Sequence, residues 1–565
     1  MASDGRGEDR GGGGWEGLDM DIQRLDEDNL VVGEYFFCRY RETGKFRRMH
    51  VHRHGVIELS WRIPGGVGGE TPETGILVEW EGLSGVRRCA RAFWDGGEVW
   101  RARLSPDEAG DWKWRAIGPA GSEAIEPAQG RFTCVPYVGD HPFYRHGPAR
   151  VTATGRHLEY ADGTPFFWLG DTAWNGVLRG DDGHWARYLG VRAAQRFSVV
   201  QFVCTDWRGD AEDPAGERSC TAENPLHVNP AFFQRLDRRV AMINEHGLLA
   251  APVVLWALLP TDPGRRLSEM DATRLAKYVV ARYDAYHVCW LIGGDAPYQQ
   301  IGVERWKRIG REALRFGHDR LATLHPCGQN WVGEEFRDES WYDLIGYQSG
   351  HGDAESHLTW LVKGPPATHW NRSPIKPVIN LEPNYETARA YHSGQVFSDV
   401  HVRRAAWWSL LVSPMAGLTY GHDAVWNWNF ETGPSEGHGR LHDGAVPPWP
   451  TGLETEGVRS MTVLRGIVER LNWTALTPDP AALADQPGDQ DVAAFQAAAR
   501  DDAGTIVVYA PCGGAVRFSA PPPEPVRLVD PRTGIAVRCS GTAKIALPDR
   551  RDWLIVAGPG WRDSA

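Results

Sequence analysis

The sequence predicts an α/β fold: a (β/α)8 TIM barrel flanked by an N-terminal and a C-terminal β-sandwich domain. Three observations predict it. Between residues 139 and 478, eight apolar runs alternate with helical stretches, the pattern of a parallel sheet covered by helices. On either side, the chain reads as short strands broken by turn residues. The whole chain has 565 residues, too many for one hydrophobic core.

Taken in order, residues 1–27 are polar and Gly-rich and read as a disordered tail. Residues 28–138 hold GVIELSW, GILVEWEG, EVWRARLSP and GDWKWRAIG. Apolar residues recur there at every second position, as in Trp100, Ala102 and Leu104, or Trp112 and Trp114. That period of two marks half-buried strands of a sandwich. Residues 139–478 are read as the barrel. Its strands are expected at FFWLGD (166–171), FSVVQFV (197–203), LLAAPVVLWA (248–257), HVCWLIGGD (287–295), RLATLHP (320–326), LIGYQSG (344–350), KPVINLEP (376–383) and AGLTYG (416–421). Helices are expected between them, for example at NPAFFQRLDRRVAMINEHG and DATRLAKYVVARYDA. Residues 479–565 return to short strands such as TIVVYAP, VRLVDP and DWLIVAG, a second sandwich.

Composition narrows the function. A net charge of -12 argues against a nucleic-acid partner. No apolar run is long enough to span a bilayer. The first residues lack a charged-then-apolar leader, and nine Cys are scattered singly, which together predict a cytoplasmic location. There are 26 Trp against 16 Tyr and 18 Phe, an excess that suits stacking on sugar rings as well as filling cores. The expected partner is a carbohydrate or glycoside. No cofactor is expected, because the GTPFFWLGD segment carries neither GxGxxG nor Walker spacing. No metal is expected either. His50, His52 and His54 share one face of a strand, as metal ligands can, but they precede the barrel.

In a barrel, the C-terminal ends of the strands face the active site. Those ends carry Asp171 and Trp174, then Gln201, Asp206 and Trp207, then Trp256, Asp295 and His325. Gln348 and His351 follow, then Glu382 with Asn384 and Glu386, then Tyr420, His422 and Trp426. Asp295 and Glu382 each follow an apolar strand directly, so both are expected at the mouth as a catalytic pair. Glycoside hydrolysis needs two such groups, one protonated to assist the leaving oxygen and one ionised at the anomeric carbon. The other residues are expected to bind substrate, and at least one of Trp174, Trp207, Trp256 and Trp426 to be a stacking platform. Glu386 is the alternative carboxylate of the EPNYE segment.

The stretches DGTPFFWLGDTAW, CWLIGGD, RLATLHP, YQSGH, KPVINLEPNYE and GLTYGHDAVW resemble the apiosidase-like glycoside hydrolases, over most of residues 140–475. The segment VRRCARAFWDGGEVWRARLSPDEAGDWKWRA resembles the sandwich that often precedes this barrel. The C-terminal region resembles a collagen-binding-type sandwich, which implies fold alone. The resemblance implies a retaining hydrolase with Asp295 as acid/base and Glu382 as nucleophile. An exo-acting enzyme on a small glycoside or oligosaccharide is the expected function. The alternative is a carbohydrate-binding protein on the same barrel without catalysis.

Overall fold

The structure, a computed structural model, describes residues 49–63, 75–118, 128–207, 216–221, 226–317, 319–435 and 445–562, with short strands at 31–32 and 35–36. The tail expected at 1–27 lies outside the described residues.

Beyond the short strands at 31–32 and 35–36, the described residues of the N-terminal region carry two sheets. Met49–His52, Gln129–Val135, Gly110–Ile117, Leu77–Glu81 and Arg87–Arg91 form one, in that spatial order. Ile57–Arg62, Val99–Leu104 and Phe93–Trp94 form the other. Along Gly110–Ile117, Trp112, Trp114 and Ala116 are buried while Asp111, Lys113 and Arg115 are exposed, which is the period of two read in the sequence. The inward residues of both sheets share one core, where Trp61 meets Trp114 edge-on at 5.9 Å.

Eight parallel strands then form the barrel: β1 (Trp168–Thr172), β2 (Val199–Val203), β3 (Leu249–Trp256), β4 (Cys289–Ala296), β5 (Leu321–Pro326), β6 (Ile345–Gln348), β7 (Val378–Glu382) and β8 (Gly417–Tyr420). Each lies within or overlaps the run expected for it. Their spatial order is β5-β4-β3-β2-β1-β8-β7-β6. The β5–β6 seam is joined by Asp343 N–H to Ala322 O (2.8 Å) and by Thr323 Oγ1 to Leu344 O (2.7 Å). Every residue of β3 is buried, because helices cover one face and the barrel interior the other.

The covering helices are α1 (Asp182–Ala194), α2 (Pro230–Glu245), α3 (Glu269–Tyr283), α4 (Val303–Ala313), α5 (Glu355–Lys363), α6 (Asp399–Leu411) and α7 (Glu456–Val468). Asp181, Asn229, Ser268 and Thr455 cap α1, α2, α3 and α7 by accepting from a free N–H of the first turn. Among the described residues, no helix is long and apolar enough to cross a membrane.

The C-terminal region carries a six-stranded sheet that starts at Thr477–Pro478 and ends at Ala536–Cys539. Val507, Tyr509, Leu554 and Val556 on one face join the barrel core. Ile506, Val508, Ile555 and Ala557 on the other face pack with Val516 and Ile545 of a two-stranded sheet.

Buried ion pairs join these parts. Arg103 of the N-terminal region donates to Glu58 (2.9 Å) and to Asp237 of α2 (2.7 Å). Arg282 of α3 donates to Asp95 (2.8 Å) and to the same Asp237 (2.6 Å). On the other side, Arg403 of α6 grips Asp552 through two bonds of 2.6 and 2.9 Å. Burial alone would raise the pKa of Asp237, but the charges of Arg103 and Arg282 override it and hold the carboxyl at about 2.

Removing Asp237 would leave two buried guanidinium groups short of a counter-ion. Asp237→Ala should therefore cost about 3–5 kcal/mol in urea unfolding at neutral pH. Because its folded pKa lies below its unfolded value, the stabilising contribution of Asp237 is full above about pH 3.9 and is lost as pH falls through about 2. A loss in Asp237→Ala no greater than that in the exposed-pair variant Arg87→Ala would show that this junction holds nothing together.

Candidate active site

Glu382 ends β7 and is 6% exposed. Its Oε1 accepts a hydrogen bond from His351 Nε2 (2.9 Å), and its Oε2 lies 3.3 Å from His325 Nε2. His351 Nδ1 accepts from the Tyr385 N–H (3.3 Å), which places the ring proton on Nε2, facing the carboxylate. Burial opposes the charge on Glu382, yet contacts with His325 and His351 outweigh it and hold the carboxyl well below the usual carboxylate range.

The route that brings Glu382 there is local. Two positions earlier, Asn380 faces the helices and donates to Ser409 Oγ of α6 (3.0 Å). Plain alternation would send Glu382 the same way. The β6–β7 ladder slips instead: Tyr347 pairs with Asn380, and Gln348 pairs with Glu382. The extra residue, Leu381, turns Glu382 toward the mouth, as a β-bulge does.

Asp295 sits at a second slip. The β4–β5 ladder shifts on both sides of Gly294, and Asp295 has φ of 50°, in the left-handed region that Asp tolerates better than most residues. It is half-buried, and its charge adds to burial in pushing the Cys327 thiol up to about 12.

Next to Glu382 the structure gathers Trp174, Trp207, Trp256, His325, Gln348, His351 and Trp426. The Trp174 ring meets Trp256 at 5.4 Å and His325 edge-on at 5.2 Å. Trp207 lies 4.7 Å from Trp256 and 6.5 Å from Trp426. The four Trp are only 1–3% exposed, so none is the open stacking platform expected from the sequence. Each ring packs against its neighbours, and together they form an inner wall. Several buried polar atoms here have no hydrogen-bond partner among the described residues: Trp256 Nε1, His325 Nδ1, Gln348 Oε1 and Glu382 Oε2. Orphans are rare in folded proteins and call for a reason.

Other expected site residues do not reach the mouth. Asp171 faces the helices, where it accepts from Tyr188 OH (2.7 Å) and Arg192 Nε (2.6 Å) of α1, because Trp168, Gly170 and Thr172 take the inward positions of β1. Asp206 is held by Ser219 N–H (2.7 Å) and Arg266 (2.7 Å), and burial raises its pKa despite them. Gln201 does face inward, one layer down, with its amide spent on Leu381 O (3.0 Å) and Thr419 Oγ1 (2.9 Å). Glu386 accepts from Thr455 Oγ1 (2.6 Å) and Gly457 N–H (3.0 Å) at the start of α7, and Tyr420 donates to it as well. His422 caps the short helix Asp423–Asn427, and burial together with Arg192 pushes it down to about 3.

Tyr385 was not expected. It is 4% exposed, its ring lies 4.4 Å from that of His351 at a tilt of 52°, and its hydroxyl accepts from Trp174 Nε1 (3.0 Å). Burial and the charge of Glu382 push that hydroxyl well above its ordinary range. It lies in an irregular loop after β7, where no periodicity marks a residue as inward. Among the described residues, no group of three or more His, Cys, Asp or Glu is placed to hold a metal.

Eight parallel strands with an acidic, aromatic mouth define a glycoside-hydrolase-like TIM barrel. Residues 152–475 match the apiosidase-like catalytic domain, and the chain belongs to that family. Residues 52–117 match a domain of unknown function, DUF5060. No curated protein matches the chain. Among solved structures, a glycoside hydrolase family 5 protein from Bacteroides vulgatus ATCC 8482 is 21% identical with a TM-score of 0.64, covering 74% of this chain and 94% of that one. A second structure, titled glycoside hydrolase, is 21% identical with a TM-score of 0.63, covering 75% of this chain and 100% of that one. A third, also from Bacteroides vulgatus ATCC 8482, is 17% identical with a TM-score of 0.67 and covers 91% of this chain and 100% of that one. At these identities the likeness shows the fold.

If Glu386 is an anchor for α7, Glu386→Ala should lower stability by about 1–3 kcal/mol, since it strands the donors of Thr455 and Gly457. Urea unfolding of that variant measures the loss. An unchanged midpoint would remove the anchoring role.

Proposed function

We propose that the protein is a retaining glycosidase, exo-acting on a small glycoside or oligosaccharide, with Glu382 as nucleophile and Asp295 as acid/base. One observation carries the reading. Glu382 is a buried carboxylate kept ionised by imidazoles, with one oxygen that accepts no hydrogen bond among the described residues. An arginine partner would neutralise such a group, whereas imidazole contacts orient it and leave it nucleophilic. The orphan atoms of Trp256, His325 and Gln348 suit the hydroxyls of a sugar ring. The enclosed aromatic wall favours a short substrate over a long polysaccharide. A barrel that only binds carbohydrate has no use for a desolvated anion at this position.

In the proposed reaction, Glu382 Oε2 attacks the anomeric carbon while Asp295 gives its proton to the leaving oxygen. The C–O bond to the leaving group breaks, and a glycosyl ester forms on Glu382. Its negative charge is then gone, which favours the ionised form of its acidic partner. Asp295 takes a proton from water, water attacks the same carbon, and Glu382 leaves as a carboxylate.

Proton NMR of the first-formed product should show the anomeric configuration of the substrate; the opposite anomer would exclude retention. Asp295→Ala should slow substrates with poor leaving groups by roughly 10²–10⁴-fold, spare glycosylation by activated aryl glycosides, and be rescued by azide. Glu382→Ala should abolish turnover of both substrate classes, and the reverse pattern would exchange the two roles.

The pH profile is a separate test. Glu382 must be ionised, so the acid limb of kcat/KM should lie below the ordinary carboxylate range. His351→Ala removes a donor to the ionised form and should move that limb upward by about one pH unit. A limb that stays in place while kcat falls would show that His351 does not tune Glu382.

A further inference from the structure

The four Trp of the mouth are sealed, yet one open ring stands beside the imidazoles that hold Glu382. Among the described residues, His325 meets the rings of Trp174 and Trp256, and His351 meets those of Tyr385 and Tyr391. Trp174, Trp256 and Tyr385 are at most 4% exposed, but Tyr391 is 47% exposed. Its ring stands edge-on to His351 at 5.6 Å, and His351 in turn donates to Glu382. Exposure rises from His325 (0%) through His351 (5%) to Tyr391, which places Tyr391 on the solvent side of the site.

The backbone that carries this ring is fastened. Tyr391 lies at the tip of a hairpin after β7. Thr387 N–H donates to Phe397 O (2.9 Å), Phe397 N–H to Ala388 O (2.9 Å) and Ala390 N–H to Gln395 O (2.8 Å), and Arg389 pairs with Val396. Ala388, Ala390 and Phe397 belong to the barrel core and seat the base of the hairpin. Its tip is tied to the loop after β6, where Tyr391 N–H donates to His351 O (3.0 Å) and Ser393 N–H to Asp353 (3.3 Å). An open aromatic ring on a fixed backbone offers a flat contact surface at small entropic cost. Phe430 is nearly as open, at 46%, but its ring meets His184 at the start of α1 (5.1 Å) and, among the described residues, neither imidazole of the site.

We infer that Tyr391 is the stacking residue for the leaving group of the substrate, and that this group carries a ring with a flat, weakly polar face. The inference rests on the exo-acting glycosidase reading above. In that reading the enclosed wall of Trp takes one sugar, and what lies outside it is the leaving group. Both an aryl ring and the face of a second sugar have the required surface.

Matched ligands separate these sources: the methyl glycosides of arabinose, xylose and glucose, their 4-nitrophenyl glycosides, and arabinobiose, xylobiose and cellobiose. Their affinities are read by saturation-transfer NMR titration of the whole chain carrying Glu382→Gln, which blocks turnover. For the sugar that binds, a ring-bearing ligand should bind more tightly than the methyl glycoside. Tightening by 4-nitrophenyl assigns an aryl leaving group, and tightening by the disaccharide assigns a second sugar. Adding Tyr391→Ala should raise the Kd of the ring-bearing ligand about three- to tenfold and leave the methyl glycoside unchanged. Tyr391→Phe should keep full affinity, and Phe430→Ala should change nothing. The proposal is overturned if Tyr391→Ala leaves the ring-bearing ligands unchanged, if it weakens the methyl glycosides equally, or if no ligand of the panel binds. A loss in Tyr391→Phe as large as in Tyr391→Ala overturns it too, since the hydroxyl and not the ring would then carry the contact. Turnover is read separately with Glu382 intact. Tyr391-dependent binding without hydrolysis would remove the glycosidase reading alone, and hydrolysis with a KM indifferent to Tyr391→Ala would remove the stacking role alone.

Discussion

Successive side chains of a β-strand leave on opposite faces, so a barrel strand can offer only every second residue to its interior. On β1 this rule sends Asp171 outward to Arg192 while Gly170 and Thr172 face the axis. On β7 it would send Glu382 outward with Asn380. The ladder slip at Leu381 reverses that, and a comparable slip surrounds Asp295 on β4. Both candidate acids thus stand where the regular ladder gives way. The rest of the mouth is arranged around positions that a regular sheet would not supply.

The same constraint sorts the buried charges. Outward-facing acids meet cations or capping donors: Asp171 has Arg192, Asp206 has Arg266, and Glu386 has the first turn of α7. These pairs are consumed in holding helices to the sheet. Glu382 is different, because its partners are two imidazoles. A buried ion pair with a guanidinium would satisfy the carboxylate fully, at the expense of its reactivity. The contrast in partner chemistry, more than the contrast in burial, separates the candidate nucleophile from its acidic neighbours.

The flanking sheets are joined to the barrel by charge as well as by apolar packing. Asp237 is shared by Arg103 and Arg282, one from each side of the junction, and Arg403 reaches the C-terminal sheet through Asp552. The apolar face of that sheet is continuous with the barrel core. The α6 helix is the link on this side, since its Arg403 secures the C-terminal sheet.

The sequence by itself determined the barrel and its order of strands, because fully buried parallel strands must be continuous apolar runs and FSVVQFV or LLAAPVVLWA can be little else. It also determined which acids end a strand, and hence Asp295 and Glu382 as candidates. Only the tertiary structure decided which strand-end residues turn inward. Asp171 and Tyr420 lie at strand ends as Glu382 does, but bulges and helix contacts, which depend on neighbouring elements, set their direction. Tyr385 could not be read at all, since an irregular loop has no period to reveal its inward side. The Trp excess was visible, but its enclosure was not, because burial of Trp207 or Trp256 depends on side chains brought from distant strands.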